Sequence, residues 1–354
     1  MQAITVAPGE ADSVRLDDVP EPEATEGTLL MQLLALGVCG TDREIAAGLY
    51  GEAPPGEARL ILGHESLGRV LEAPAGCSLR PGALVAGIVR RPDPVPCPAC
   101  AGGEWDMCRN GLYTERGIKR RHGYGAERYR LDPEFAVEVP KSLGACGVLT
   151  EPASIVAKAW EHIDRIGART DTWSPRKVMV TGAGPVGLLA ALMAVQRGHE
   201  LHVFDRAESG VKPELVRDLG GTYHVGPPAM IHDVAADIIV ECTGADPVVI
   251  EAVCPEASDS IVCLTGVSTG GRRLPFDVGQ FNREAVLENH VILGTVNANR
   301  RHFTAAVAAL AKADRRWLER LITRRIPPER WREAFENHAH DVKVVIDFGL
   351  ASLS

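Results

Sequence analysis

The chain has 354 residues, 45% hydrophobic and 24% charged, with a formal net charge of −9. This composition excludes a disordered, collagen-like or coiled-coil chain, and the acidic balance argues against a nucleic-acid partner, which would call for a basic stripe. At roughly 150 residues per domain the length predicts two domains, and the longest apolar stretch, LLAALMAV at 188–195, is too short to span a bilayer, so no membrane partner is expected.

The opening residues, MQAITVAPGE, lack a positive stretch followed by an apolar run, which predicts no export signal. From there to about residue 150, strand-like runs at 28–36, 68–72 and 84–89 lie between Gly and Pro breaks. This reads as a β-rich domain with long loops. Cys39 in GVCGTD and His64 in LGHES each follow such a run, and Glu151 stands in LTEPAS. A thiolate, an imidazole and a carboxylate form a ligand set that suits zinc with an open fourth position. Glu65, beside His64, is either a fourth, exchangeable ligand or the partner that orients the site. Spacing alone does not join these residues.

Cys97, Cys100 and Cys108 form a second group, C-x2-C followed by a third cysteine. The arrangement suits structural zinc, which wants four ligands. Asp93 is the candidate for the fourth, with a metal-free lobe as the alternative. The nine cysteines are odd in number and scattered, which fits a cytoplasmic, reducing compartment better than a disulfide framework. The basic clusters Arg90-Arg91, Lys119-Arg120-Arg121 and Arg324-Arg325 read as solvated faces or anion contacts.

Residues 152–167 carry helical spacing, and DTWSPR at 171–176 reads as a linker. From Lys177 the pattern alternates. KVMVTG, ELHVFD, DIIVECTG and DSIVCLTG read as strands, with helices GPVGLLAALMAVQRG, KPELVRDLGG and PVVIEAVCPEA between them. Such alternation means βαβ units and a parallel sheet. Two more helical segments, HFTAAVAALAKA and PERWREAF, precede a short strand, KVVIDF, expected to return to the first domain.

Gly182, Gly184, Pro185, Val186 and Gly187 carry a GxGxxG pattern directly after a strand and at the start of a helix. That context makes it a dinucleotide fingerprint: the glycines admit the pyrophosphate, and the helix N-terminus offers free N–H groups. Asp205 ends the next strand, where a carboxylate accepts from the ribose hydroxyls of NAD and repels a 2′-phosphate. Arg206 follows and could stack on adenine or tolerate NADP. Thr243, Leu264, Thr265 and Gly266 stand at strand ends, on the edge of the sheet where ligands bind.

Taken together, GVCGTD, GHE, the CxxC lobe and GAGPVG resemble the zinc-dependent medium-chain dehydrogenases. Two further tracts, GLYTERGI at 111–118 and GTVNANRRHF at 294–303, are similar to the glucose (aldose) 1-dehydrogenase branch. The resemblance implies an α/β chain in which a GroES-like catalytic domain, 1–155 plus 295–354, carries an inserted Rossmann domain, 156–294. It implies a catalytic zinc held by Cys39, His64 and Glu151 with Glu65 nearby, and sugar contacts from Thr41, Glu115, Glu151 and Asn297. Thr295 and Asn297 would border the nicotinamide. The implied reaction takes hydride from C1 of an aldose to NAD(P) and leaves a lactone, and a homo-oligomer is implied as well. In that chemistry Thr41 relays the hydroxyl proton outward, with Glu65 as the alternative acceptor.

Three departures stand out. Ile155 occupies a place where archaeal glucose enzymes of the family can carry a carboxylate, Pro94 stands where a first lobe cysteine is expected, and Asp205 points to NAD where several members favour NADP. Ile155 keeps open a dehydrogenase of another polyol or of a biosynthetic alcohol. A non-catalytic nucleotide-binding redox sensor is the rival from outside the enzyme class.

Overall fold

The computed structural model describes residues 1–268 and 270–353. The chain divides into two compact units, Met1–Ser154 with Asn297–Ser354, and Ile155–Val296. The first change of unit falls inside the helix Thr150–Gly167. The second falls after Val296, so Thr295, read with the catalytic segment above, belongs to the second unit.

The first unit is built on a seven-stranded sheet whose main path runs Ala136–Val139, Leu84–Gly87, Glu65–Glu72, Leu29–Val38, Lys343–Asp347, Ile322–Ile326. Arg128–Leu131 pairs beside that path with Leu29–Val38. Leu29–Val38 alternates buried and half-buried residues over its first four positions and is then buried throughout, the pattern of a strand that passes from one-sided to two-sided cover. Its register against Glu65–Glu72 shifts at two places, which bends the pair. KVVIDF does return to this sheet: Lys343–Asp347 lies antiparallel to the central strand, with Val344 opposite Val38. The strand Ile322–Ile326 was not legible because arginines break its apolar pattern. Arg324 is half-buried and held by Asp341 at 2.7 Å, in a place where the sequence suggested a solvated face or an anion contact.

The second unit is a six-stranded, all-parallel sheet in the order Thr222–His224, Glu200–Phe204, Lys177–Thr181, Ile238–Glu241, Ile261–Leu264, Val291–Gly294. The chain builds outward on one side of Lys177–Thr181, then returns and builds outward on the other. This doubly wound order puts a switch point beside the glycine turn. The inner strands are nearly continuous apolar runs because both faces are covered; Met179, Phe204, Ile239 and Val262 belong to one buried cluster. The two edge strands and the helix Val278–Leu287 were missed in the sequence. The edge strands are short and less buried, and that helix buries no residue, so it has no apolar stripe to read. Among the described residues no helix is long and apolar enough to cross a membrane.

Candidate active site

In the first unit the central strand ends at Val38, and Cys39 takes an extended conformation at the N-cap of the helix Gly40–Ala46. Asp42 sits in the first turn of that helix and accepts from Cys39 N at 2.9 Å, which anchors the cysteine. His64 directly precedes the strand Glu65–Glu72, after a turn at Gly63 (φ 91°) where a Cβ would strike the Leu36 side chain. The Cys39 sulfur lies 3.1 Å from His64 Nε2. Cys39, His64 and Glu65 each offer a ligand atom within 4.8 Å of the others.

Two residues that the sequence reading did not single out brace this cluster. Asp42 Oδ1 stands 3.3 Å from His64 Nδ1, so a proton on Nδ1 leaves the Nε2 lone pair free for a cation. Lys343 donates to both oxygens of Glu65, at 2.7 and 2.6 Å, and to the Val38 carbonyl at 3.3 Å. Gly37 makes room for that carboxylate, since a Cβ at 37 would fall 2.0 Å from Glu65 Oε2. Both braces lay outside the motif. Asp42 was visible as the last letter of GVCGTD, but Lys343 is far away in sequence and arrives only through the returning strand.

The electrostatics ask for a cation. Burial disfavours a charged His64, yet Asp42 and Cys39 hold its pKa well above the ordinary histidine value. Burial would raise the Asp42 carboxyl, but His64, the Cys39 N–H and Lys343 bring it below the usual range. Burial also opposes the Lys343 ammonium, and Glu65 and Cys39 outweigh it. Glu151, in the first turn of Thr150–Gly167, is pushed up to about 7 by burial first and then by Glu65 and Asp42, against His64 and Lys343. It therefore shares the field of the cluster, although it is not one of the three groups within 4.8 Å. A half-buried cysteine, a buried imidazole and a buried carboxylate brought together form a donor set that fits zinc.

The lobe gathers a second set. Cys97 caps the short helix Pro98–Ala101, and the sulfurs of Cys97, Cys100 and Cys108 lie within 4.8 Å of one another. Backbone N–H groups, Arg109 first at 3.4 Å, lower the Cys97 thiol, while burial and the neighbouring sulfurs raise Cys100. Asp93 is not in this set. Its Oδ1 accepts from Val95 N at 2.8 Å, and its buried Oδ2 has no hydrogen-bond partner. Three donors fall one short of the closed tetrahedron of a structural zinc.

Thr41 is half-buried in the first turn of Gly40–Ala46. Glu115 and Asn297 come together: Asn297 Nδ2 donates to Glu115 Oε1 at 2.6 Å. Arg90 joins them through Nε and Nη2, at 3.0 and 2.9 Å from the same oxygen. Arg90 and Arg91 are thus not a solvated face; they are 5% and 6% exposed, because each spends its guanidinium on internal acceptors.

In the second unit Gly182 takes φ 92°, and a Cβ on Gly187 would lie 1.7 Å from the Gly182 carbonyl. These two glycines let the helix Pro185–Gln196 start tight against the strand. Nothing lies within 4 Å of a Cβ on Gly184, whose backbone faces open space beside Pro185 and Val186. Asp205 Oδ2 accepts from Ala183 N at 2.6 Å and Oδ1 from Ala207 N at 2.9 Å, tying the acidic strand end to the glycine turn. Arg206 is exposed. Glu241, fully buried at the end of its strand, was also missed. Its carboxylate accepts from Thr243 N at 2.7 Å, and its carbonyl accepts from Thr265 N, Thr265 Oγ1 and Gly266 N. It thereby holds two loops at the carboxyl edge of the sheet. Thr295 N donates to the Leu264 carbonyl at 3.0 Å, which places Thr295 beside the same edge.

A β-rich unit with a thiolate–imidazole–carboxylate centre, joined to a doubly wound unit with a glycine turn, defines a class: the metal- and nucleotide-dependent dehydrogenases. Residues 25–141 match the alcohol dehydrogenase GroES-like domain, and residues 144–348 match the glucose dehydrogenase C-terminus. The glucose 1-dehydrogenase of Methanocella arvoryzae is 40% identical over 99% of this chain and 100% of that protein. That of Thermoproteus tenax is 38% identical over 98% and 99%. The structure of Haloferax mediterranei glucose dehydrogenase in complex with NADP, Zn and gluconolactone superposes with a TM-score of 0.90, at 33% identity over 98% of this chain and 99% of that one. The chain belongs to the glucose dehydrogenase branch of the zinc-dependent medium-chain dehydrogenases.

Proposed function

We propose that the protein oxidises the C1 hydroxyl of a glucose-like aldose, delivering hydride to NAD(P) and releasing the lactone. The observation that carries this is the Cys39–His64–Glu65 cluster in a chain that matches glucose 1-dehydrogenases along their whole length. The NADP, zinc and gluconolactone of the Haloferax enzyme support the same chemistry here.

Zinc, when bound, supplies the Lewis acidity that lowers the pKa of the reacting hydroxyl, and nicotinamide accepts the hydride. By the family resemblance Cys39, His64 and Glu151 would hold the metal, with Glu65 beside Cys39 and His64, and Asp42 near Nδ1 would orient the His64 ring. Thr41 takes the hydroxyl proton outward. Glu65 is the poorer acceptor, because the Lys343 ammonium already binds both its oxygens. Glu115 and Asn297 recognise the sugar. The turn of Gly182, Gly184, Pro185, Val186 and Gly187 takes the pyrophosphate and Asp205 the ribose. Thr243, Leu264, Thr265, Gly266 and Thr295 would lie toward the nicotinamide end. NAD is the favoured cofactor because the Asp205 carboxylate repels a 2′-phosphate, and Arg206 gives NADP its foothold.

Ile155, half-buried, supports a second reading in which another polyol or alcohol is the better substrate. A panel of aldoses and polyols, followed by NADH or NADPH absorbance, ranks the two readings. Failure to reduce either nucleotide with any aldose removes the first.

We also propose a homo-oligomer. The strand Val291–Gly294 is an open sheet edge, and the helix Val278–Leu287 exposes Val278, Val286 and Leu287 at 60% or more. Light scattering that returns a monomer mass removes this. The cytoplasm is the proposed location, supported by nine cysteines that are all free thiols. Localisation of the tagged chain to an oxidising compartment overturns it.

A further inference from the structure

The strand Thr114–Arg116 pairs with Arg90–Arg91 in a register that sets Glu115 opposite Arg90. Three donors then converge on one oxygen. Arg90 Nε and Nη2 reach Glu115 Oε1 at 3.0 and 2.9 Å, and Asn297 Nδ2 reaches it at 2.6 Å. No protein donor among the described residues reaches Oε2. The donors are themselves fixed. Arg90 Nη1 donates to the Asp106 carbonyl at 3.0 Å, and its guanidinium lies 3.7 Å from the centre of the Tyr113 ring. Asn297 has φ 61°, and its Oδ1 accepts from Ala298 N at 2.9 Å.

A buried carboxylate with one oxygen saturated and the other empty is an acceptor set in advance for a hydroxyl donor. An acceptor shaped for a hydroxyl is left unpaired by a substrate that lacks it, so such a substrate is penalised. Arg90 also compensates the charge of Glu115, which otherwise would stand buried and alone.

We infer that Arg90 is a positioning residue for sugar selectivity: with Asn297 it holds Glu115 so that Oε2 accepts from one particular ring hydroxyl. This rests on the aldose reading above. Arg90 touches neither substrate nor metal; it acts through Glu115.

The test compares glucose with its monodeoxy analogues, each lacking one ring hydroxyl other than the reacting one. Wild type should lose roughly 10–100-fold in kcat/KM on one analogue, the size of a hydrogen bond to a charged group. Arg90→Gln should lose a similar factor on glucose, mostly through KM, and lose nothing more on that analogue. Arg90→Lys, which keeps the charge and one donor, should recover part of the loss. If Arg90→Gln does not fold, Arg90→Lys carries the test, and it should show a smaller loss confined to the same hydroxyl. Zinc content and thermal midpoint are measured on every variant. An equal loss on every sugar, or discrimination unchanged from wild type, overturns the inference. No turnover of any aldose by wild type overturns the underlying reading instead.

Discussion

The two three-ligand clusters of the first unit reach the same compactness by different means. Cys39 stands on one segment and the consecutive His64 and Glu65 on another, and they are braced by side chains, Asp42 on one flank and Lys343 on the other. Cys97 and Cys100 stand at one short helix and Cys108 follows the separate turn Trp105–Met107, with backbone N–H groups as braces. Side-chain braces carry charge and shift the protonation of their neighbours. Backbone braces orient sulfur and lower the Cys97 thiol without bringing in a charged side chain.

That contrast can be broken at several points. The largest expected effect is at Cys39. Cys39→Ala should lower turnover by about 10³-fold or more, given the several kcal/mol a Lewis acid supplies, and remove one equivalent of zinc. Full zinc content with full activity would end the distinction between the clusters.

Lys343→Met should cost about 3–5 kcal/mol of stability, because it leaves the Glu65 carboxylate buried without its partner. Denaturant unfolding measures this, and Glu65→Gln in the same chain should recover much of the loss. A double variant as unstable as the sum of the singles would show that the pair is not coupled.

Asp42→Asn should weaken zinc binding roughly 10–100-fold, as loss of a partner behind a ligating histidine does, read by competition with a chelator.

Part of the pH dependence of the zinc-free protein follows from Glu151; His64, whose pKa is also raised, adds a loss of the same sign at higher pH. The Glu151 pKa is raised from 4.5 to about 7 on folding, so the folded state prefers the protonated form. That contribution is complete below about pH 4.5 and is lost as pH rises through 7. Thermal midpoints of the metal-free protein should therefore fall between pH 5 and 8, and Glu151→Gln should flatten that slope. The same slope in the variant would assign it elsewhere.

The smallest expected effect is at the lobe. Cys97→Ser should change kcat/KM by less than about threefold, within the range of a change that leaves the reacting groups in place. A loss as large as that of Cys39→Ala would erase the comparison.

What could be read in advance tracks how local each signal is. The glycine turn, Asp205 and the CxxC lobe are short-range patterns and were visible as motifs. Cys39 and His64 were candidates only by residue type and context, and the resemblance to a family, not spacing, tied them to Glu151. Arg90 was misread because an arginine pair in a loop-rich segment looks solvated until its acceptors are known; Glu115, Asp106 and Ile88 supply them. Glu241 hid because a carboxylate ending an apolar strand reads as ordinary turn chemistry, although it holds Thr243, Thr265 and Gly266. The helix Val278–Leu287 hid because it buries no residue.

By itself the sequence determined the alternation of strands and helices, the dinucleotide turn and the kinds of metal ligand on offer, since all of these are written in neighbours a few residues apart. Only the tertiary structure decided which groups share a field. A returning strand brings Lys343 onto Glu65, and a strand register brings Arg90 onto Glu115. Interactions of charge and hydrogen bonding depend on distance in space, and chain separation says nothing about that until the sheet is formed.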